Sequence, residues 1–298
     1  MDLQHDGLVE TSWLAHNLDA ERLRILDVSA KLTSKLENRA EEEIFAEGHI
    51  PGAQFFDVAS GKGVLSDPAG RYPWTWPPAA QVEEVMGRFG IANGSVVVLY
   101  AATPRPGIDF GAMWCTRAWW ILHHHGVDCA ILNGGLEAWR AEGRPLSKET
   151  VSFPPANFSA RPAEGVVADR DRVRAAIERN SACIIDALPG ASYRGEGEAR
   201  YGARKGHIQN ALNVPYGDLV DPETQRFASL DKAAEVFAAA GIDPAQPAIT
   251  YCGGGIAATL DAFFLHRLGN RAVSVYDASL MEWAGDAALP MEDPSAGA

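Results

Sequence analysis

Cys252 is the residue of this chain best placed to do chemistry, because it stands between a β-prone run and three consecutive glycines. The stretch AITYCGGGIAATLDAFFLHRLG, residues 248–269, leaves that run at Tyr251 and passes through Gly253, Gly254 and Gly255. Ile256, Leu260, Phe263, Phe264 and Leu268 then recur at helical spacing, so strand, tight loop and helix are expected in that order. Two chemistries use such a turn. In the first, Gly253, Gly255 and Ala258 fit the G-x-G-x-x-G/A fingerprint that brings backbone against a pyrophosphate, and Asp277, ending the next apolar run, stands where a ribose-binding acid belongs. In the second, the free N–H groups of the helix start face the sulfur of Cys252 and favour its thiolate.

Other chemically able residues have simpler roles. His123, His124 and His125 are consecutive, and side chains on one helix about 100° apart do not chelate together, so packing is expected of them. His49 and His207 are expected to hold the turn into a strand, and Asp186 and Asp277 to order loops by hydrogen bonding. Trp74 and Trp76, in YPWTWPP, read as a proline-stiffened loop over a core, and Cys115 lies in too apolar a setting for an active site. The segment YRGEGEARYGARKGH gathers Arg194, Arg200, Arg204 and Lys205 among Glu196 and Glu198, which is either a solvated loop or an anion-binding one.

The 298 residues are enough for two ordinary domains, and 47% hydrophobic content is ample for packed cores. No run approaches the eighteen or so apolar residues of a membrane span, and MDLQHDGLVETSW lacks the basic and apolar parts of a secretory signal, so a cytoplasmic protein is expected. Cys115, Cys129, Cys183 and Cys252 show no C-x-x-C spacing, which argues against a disulfide framework or a zinc site and suits a free thiol. A formal charge of −13 repels phosphate backbones, so neither nucleic acid nor an anionic membrane is an expected partner.

The elements that must position Cys252 occur twice. ILDVS at Ile25–Ser29 matches IIDAL at Ile184–Leu188, and GHIPGAQFFD from Gly48 matches GHIQNALNVPY from Gly206. VVVLYAA, ending at Ala102, matches PAITYCG, and ILNGGLEAW matches VYDASLMEW, in the same order. The offset falls from 159 at Asp27/Asp186 to 158 at His49/His207, 151 at Tyr100/Tyr251 and 144 at Trp139/Trp283, as loop-length changes produce. Each copy alternates short apolar strands with amphipathic helices such as AAQVEEVMGRFG and LDKAAEVFAAAG, both stopping at glycine, so an α/β fold with a mostly parallel sheet flanked by helices is expected in each. The domains read as 8–145 and 166–292, joined by a proline-rich linker at 146–165. A dinucleotide fingerprint belongs to the first βαβ unit of its domain, whereas this glycine loop is late in the second copy, so the cysteine chemistry is the one kept.

Together the paired D…GHI segments, GHIPGA at Gly48–Ala53, NGGLEAW and a single Cys-loop resemble the rhodanese superfamily, in particular the tandem-domain thiosulfate and 3-mercaptopyruvate sulfurtransferases, over about Ile25 to Trp283. The resemblance implies two rhodanese-like domains, the first inactive and the second carrying a persulfide-forming cysteine in a six-residue loop. That loop maps onto Cys252, Gly253, Gly254, Gly255, Ile256 and Ala257. The counterpart of Cys252 in the first copy is Ala101, which is no nucleophile. Thiosulfate enzymes of the family typically carry C-R-K-G-V-T and mercaptopyruvate enzymes C-G-S-G-V-T, whereas CGGGIA lacks the serine at Gly254 and the threonine at Ala257. Of the two arginines the family places before GHI to bind the donor's anionic end, Arg200 matches one and Ser192 occupies the other position, with Arg194 the candidate replacement.

The expected activity is transfer of a sulfane sulfur from thiosulfate or 3-mercaptopyruvate, a small anionic sulfur donor, to a thiol, cyanide or protein acceptor through a persulfide on Cys252. Neither a cofactor nor a metal is implied. Backbone N–H groups of residues 253–257 are expected to cradle the sulfur. Phosphatase chemistry needs C-x5-R, and position 258 is alanine. The alternative is a catalytically quiet binding or persulfide-carrier module.

Overall fold

The computed structural model describes residues 6–105 and 111–297. They form two compact units, one from the chain up to Ala163 together with Asp221–Phe227, the other from Glu164–Val220 and the chain from Ala228. The first contains β1 (Leu8–Val9), α1 (Thr11–Asn17), β2 (Leu23–Asp27), α2 (Ala40–Glu43), β3 (Ala53–Phe55), α3 (Ala79–Arg88), β4 (Val96–Tyr100), α4 (Gly111–His124), β5 (Asp128–Leu132) and α5 (Gly135–Ala141). Its five strands run parallel in the order β1-β5-β4-β2-β3. The second contains β6 (Val167–Ala168), α6 (Arg170–Arg179), β7 (Cys183–Asp186), α7 (Gly190–Tyr193), β8 (His207–Ile208), β9 (Leu212–Asn213), α8 (Leu230–Ala239), β10 (Ala248–Tyr251), α9 (Ala258–Arg267), β11 (Val273–Tyr276), α10 (Ser279–Trp283) and β12 (Met291–Glu292). Its parallel sheet has the corresponding order, β6-β11-β10-β7-β9, and β12 pairs antiparallel with β8 at one side.

The expected α/β fold is therefore present in both copies. VVVLY of β4 and AITY of β10 are mostly apolar because strands covered on both faces have no solvent side; every residue of both is buried, and the hydroxyls of Tyr100, Thr250 and Tyr251 are hydrogen-bonded inside. In α3 Val82, Val85 and Met86 fall on one buried face, and in α8 Ala233 and Phe237 do the same. Both helices end just before a glycine with positive φ, Gly90 and Gly241. No helix among the described residues is long and apolar enough to cross a membrane.

The repeat extends to individual hydrogen bonds. The Asp27 carboxylate accepts from Ser29 N at 2.9 Å and that of Asp186 from Leu188 N at 2.8 Å. The Tyr100 hydroxyl accepts from Ile50 N at 3.3 Å and the Tyr251 hydroxyl from Ile208 N at 3.0 Å. Trp139 donates to the Pro145 carbonyl and Trp283 to that of Pro290. His49 stacks on Phe45 at 3.8 Å and His207 on Tyr193 at 3.7 Å, each with a ring nitrogen bonded to a backbone carbonyl, so both hold the entry turn as expected. His124 and His125 bond the carbonyls one helical turn back, and the Trp74 indole donates to Ala59.

The stretch expected to link the domains behaves differently. Residues 146–163 lie along the first unit: Ser147 bridges His49, the Arg24 guanidinium stands 3.8 Å over Phe153, Phe158 is buried, and Arg161 N bonds His125 O. Its aromatic residues have apolar surface to bury there, which outweighs the preference of prolines for an open connection.

Candidate functional site

Cys252 comes directly after the last residue of central strand β10, and its loop leads into α9. The N-cap of α9 is Ala257, with no side chain to accept the first N–H groups, whereas α6 and α8 are capped by Asp169 and Ser229. The free N–H groups at the start of α9 turn to the thiol instead: those of Gly254, Gly255 and Ala258 face Cys252 and pull its pKa down. The cradle thus overlaps the expected span 253–257 at Gly254 and Gly255 and adds Ala258. Gly255 is needed for its conformation, φ +79°, and for its closeness to the Asp277 carbonyl, which a Cβ would overlap. Thr250 Oγ1 donates to Ala258 O and Thr259 Oγ1 to Ile256 O, which fixes the far end of the loop.

Ser279 supports the loop from below. Its φ is +49°, a left-handed conformation that the first copy gives to a glycine, Gly135 at +56°. A serine held there strains the backbone, and its hydroxyl is in use at both ends, accepting from Cys252 N at 3.1 Å and donating to Tyr276 O at 2.7 Å. The carbonyl of Cys252 accepts from Leu280 N at 3.1 Å, as that of Ala101 accepts from Leu136 N at 3.1 Å. Ala101 is thus the counterpart of Cys252 in three dimensions as well as in sequence.

Two opposing effects act on the Cys252 thiol. Cys252 is only 3% exposed, and burial pushes its thiol above the ordinary value, against the pull of the three N–H groups. Asp186 acts in the same direction, and burial pushes its own carboxyl up to about 7, opposed by the Leu188 N–H and the Tyr251 hydroxyl. The helix start therefore makes a ready site for a thiolate without making the resting cysteine one. Cys115 and Cys129 are pushed well up by burial with no such cradle, in keeping with inert core thiols.

A cavity of about 110 Å³ opens beside the loop, lined by Ser192, Glu198, Arg200, Tyr201, Lys205 and Leu280 among others. Arg200 is exposed at its wall and makes no ion pair or hydrogen bond among the described residues. Arg194 is not part of the lining; it pairs with Glu196 at 2.6 Å. Arg204 is a structural clamp on the carbonyls of Trp283, Ala284, Asp286 and Leu289. Gly253, Ile256 and Ala257 complete the loop between Cys252 and α9, and all three are buried.

Two aromatic residues of the site escape a reading of the sequence. Tyr201 is half-buried, and its ring carbons Cδ1, Cε1 and Cζ occupy the place a Cβ on Gly253 would take. Its phenol is pushed up to about 12, by burial first and then by Cys252, with Arg200 opposing. Tyr216 also has its phenol raised by burial and by Cys252. Neither lies at a spacing that announces a role, although the adjacency of Tyr201 to Arg200 was the available signal.

The Rhodanese-like domain family model matches residues 10–142 and again 169–286. The chain is 33% identical to a 3-mercaptopyruvate sulfurtransferase of Escherichia coli K12, over 95% of this chain and 97% of that protein. It is 28% identical to a thiosulfate sulfurtransferase of Gallus gallus, over 93% of each. The crystal structure of SseA from Escherichia coli, described as a 3-mercaptopyruvate sulfotransferase, superposes with a TM-score of 0.78 at 29% identity, covering 92% of this chain and 98% of that one.

Proposed function

The chain belongs to the rhodanese-like family, with two copies of its domain, and on that premise we propose that Cys252 is the residue through which it moves sulfur. The protein is a sulfurtransferase, like the relatives it matches over nearly its whole length. The observation that carries Cys252 is the set of three N–H groups on its sulfur, at a helix start with no side-chain cap. Once the thiolate forms, it attacks the outer sulfur of the donor; the sulfur stays on Cys252 as a persulfide, and the same N–H groups stabilise its charge. A thiophilic acceptor then removes the sulfur and frees the thiolate. Arg200 is the cation for the donor's anionic end, and the pairing of Arg194 with Glu196 leaves Arg200 to act alone. A reducing compartment such as the cytosol suits the chemistry, since Cys252 must begin each cycle as a free thiol.

Intact mass after donor treatment tests the assignment. One added sulfur atom is expected on the wild type and on Cys115→Ser, Cys129→Ser and Cys183→Ser, and none on Cys252→Ser. In steady state Arg200→Ala is expected to lose about ten- to a hundredfold in kcat/KM, mostly through KM, with Arg194→Ala close to wild type. A persulfide on Cys252→Ser removes the nucleophile from its place.

A further inference from the structure

The space above Gly253 is filled by a residue that no motif predicts. The ring of Tyr201 lies where a side chain at 253 would project, and Cζ, which bears the hydroxyl, is among the overlapping atoms. The ring therefore stands over the Cys loop, near enough to Cys252 for the charge of its sulfur to act on the phenol. The hydroxyl makes no hydrogen bond among the described residues, and Tyr201 adjoins Arg200 on the cavity wall. With its phenol pushed up to about 12, it keeps its proton throughout the neutral range and is a donor there.

The charges around it discriminate between donors. Asp186 is the charged side chain whose field opposes the Cys252 thiolate, Glu198 shares the cavity wall with Arg200, and Arg204 is bound to four carbonyls. Lys205 has Asp293 and Ser295 beside it. A donor that releases a dianion finds Arg200 and, of the other cations on the wall, Lys205, since Arg204 is committed to carbonyls. A donor with one carboxylate and a ketone finds a cation for the first and a neutral hydrogen-bond donor for the second.

We infer that Tyr201 is a further catalytic and specificity-determining residue, whose hydroxyl bonds the ketone oxygen of a β-mercapto-α-keto acid while Arg200 holds the carboxylate. This rests on Cys252 being the nucleophile. The Cys252 thiolate attacks the donor's thiol sulfur; the new S–S bond forms as the C–S bond breaks, and its electron pair passes to carbon and the ketone oxygen as an enolate. The Tyr201 hydroxyl donates to that oxygen as its charge grows. The proton carried in on the donor's thiol ends on the enolate carbon, giving the α-keto acid and leaving Cys252 as a persulfide anion, so no external acid or oxidant is needed. Tyr201 also excludes any side chain at 253, including the arginine found there in loops of the C-R-K-G-V-T type.

The full-length protein is assayed with 3-mercaptopyruvate and with thiosulfate, cyanide being the acceptor, and the ratio of the two kcat/KM values is followed. Tyr201→Phe keeps the ring and is expected to lower the mercaptopyruvate-to-thiosulfate ratio about ten- to a hundredfold, the worth of one hydrogen bond to a developing oxyanion. Gly253→Arg alone is expected to fold poorly or to lose both activities, and Tyr201→Ala combined with Gly253→Arg to recover thiosulfate turnover. An unchanged ratio in Tyr201→Phe overturns the role, as does an equal loss with both donors, which marks a packing residue. Intact mass separates this from the reading beneath it. A persulfide on Cys252 together with an unchanged ratio rejects Tyr201 alone, whereas a wild type that gains no sulfur on Cys252 rejects both.

Discussion

Cys252 and Ala101 occupy one position in two copies of the same fold, and under the proposed function the difference of a sulfur atom is what permits chemistry in one of them. Burial raises the thiol and three N–H groups lower it, with burial the larger effect. The group that reacts is the thiolate, so its fraction at neutral pH is small and grows tenfold per unit until the raised pKa is passed. The single-turnover rate of persulfide formation is accordingly expected to climb with pH through neutrality and to continue beyond the ordinary thiol value of 9.0. Stopped-flow measurement from pH 6 upward checks this, and a plateau near pH 7 would mean that the bound donor or a neighbouring cation lowers the thiol far more than the free site does.

The loop between β10 and α9 works as a unit because its glycines permit what side chains would block. Gly255 combines a left-handed φ with a Cβ position overlapping the Asp277 carbonyl, so a methyl group there both strains the backbone and pushes the loop away from its support. Gly255→Ala is expected to cost more than about 1 kcal/mol of stability and to lower the persulfide-forming rate at least about tenfold, because two of the three N–H donors belong to residues 254 and 255. Urea unfolding and single-turnover kinetics on one preparation report the two effects. Wild-type rates in this variant would show that the sulfur does not depend on the loop's shape.

At the scale of the molecule, the two units are not two consecutive pieces of chain. Asp221–Phe227 belongs to the first unit, where Phe227 is 8% exposed and its N–H donates to Asn133 Oδ1 at 2.9 Å. Arg226 pairs there with Glu10 and Glu142 on the surface. Burial of the phenyl ring outweighs the exposed ion pairs, so Phe227→Ala is expected to destabilise the protein by about 3 kcal/mol and Arg226→Ala by less than about 1 kcal/mol. Denaturant titration with a fluorescence readout measures both, and equal small effects would indicate that this segment is not held by its apolar contact. The first unit also includes 146–163, so a chain ended at the sequence-derived boundary of 145 lacks Phe153 and Phe158 as well.

The amino-acid sequence by itself determined the repeat, the α/β class, the strand–loop–helix around Cys252 and the lack of a nucleophile at Ala101, because each is written in local periodicity, in glycine placement or in residue identity along one stretch. It was the resemblance to the family that singled out Arg200 from that basic segment, and the fold leaves Arg200 exposed on the cavity wall. Tertiary structure alone decided which N–H groups face the sulfur, that burial pushes the thiol up, that Arg194 turns to Glu196 while Arg204 clamps carbonyls, and that Tyr201 fills the space over Gly253. These depend on distances between segments far apart in the chain and on how much water the fold excludes, quantities with no periodicity to read. Ser279 shows the division within one residue: its place in the repeat is legible, but that a serine adopts the conformation of its glycine counterpart, and uses its hydroxyl on Cys252, is decided only by the packing of α10 under the loop.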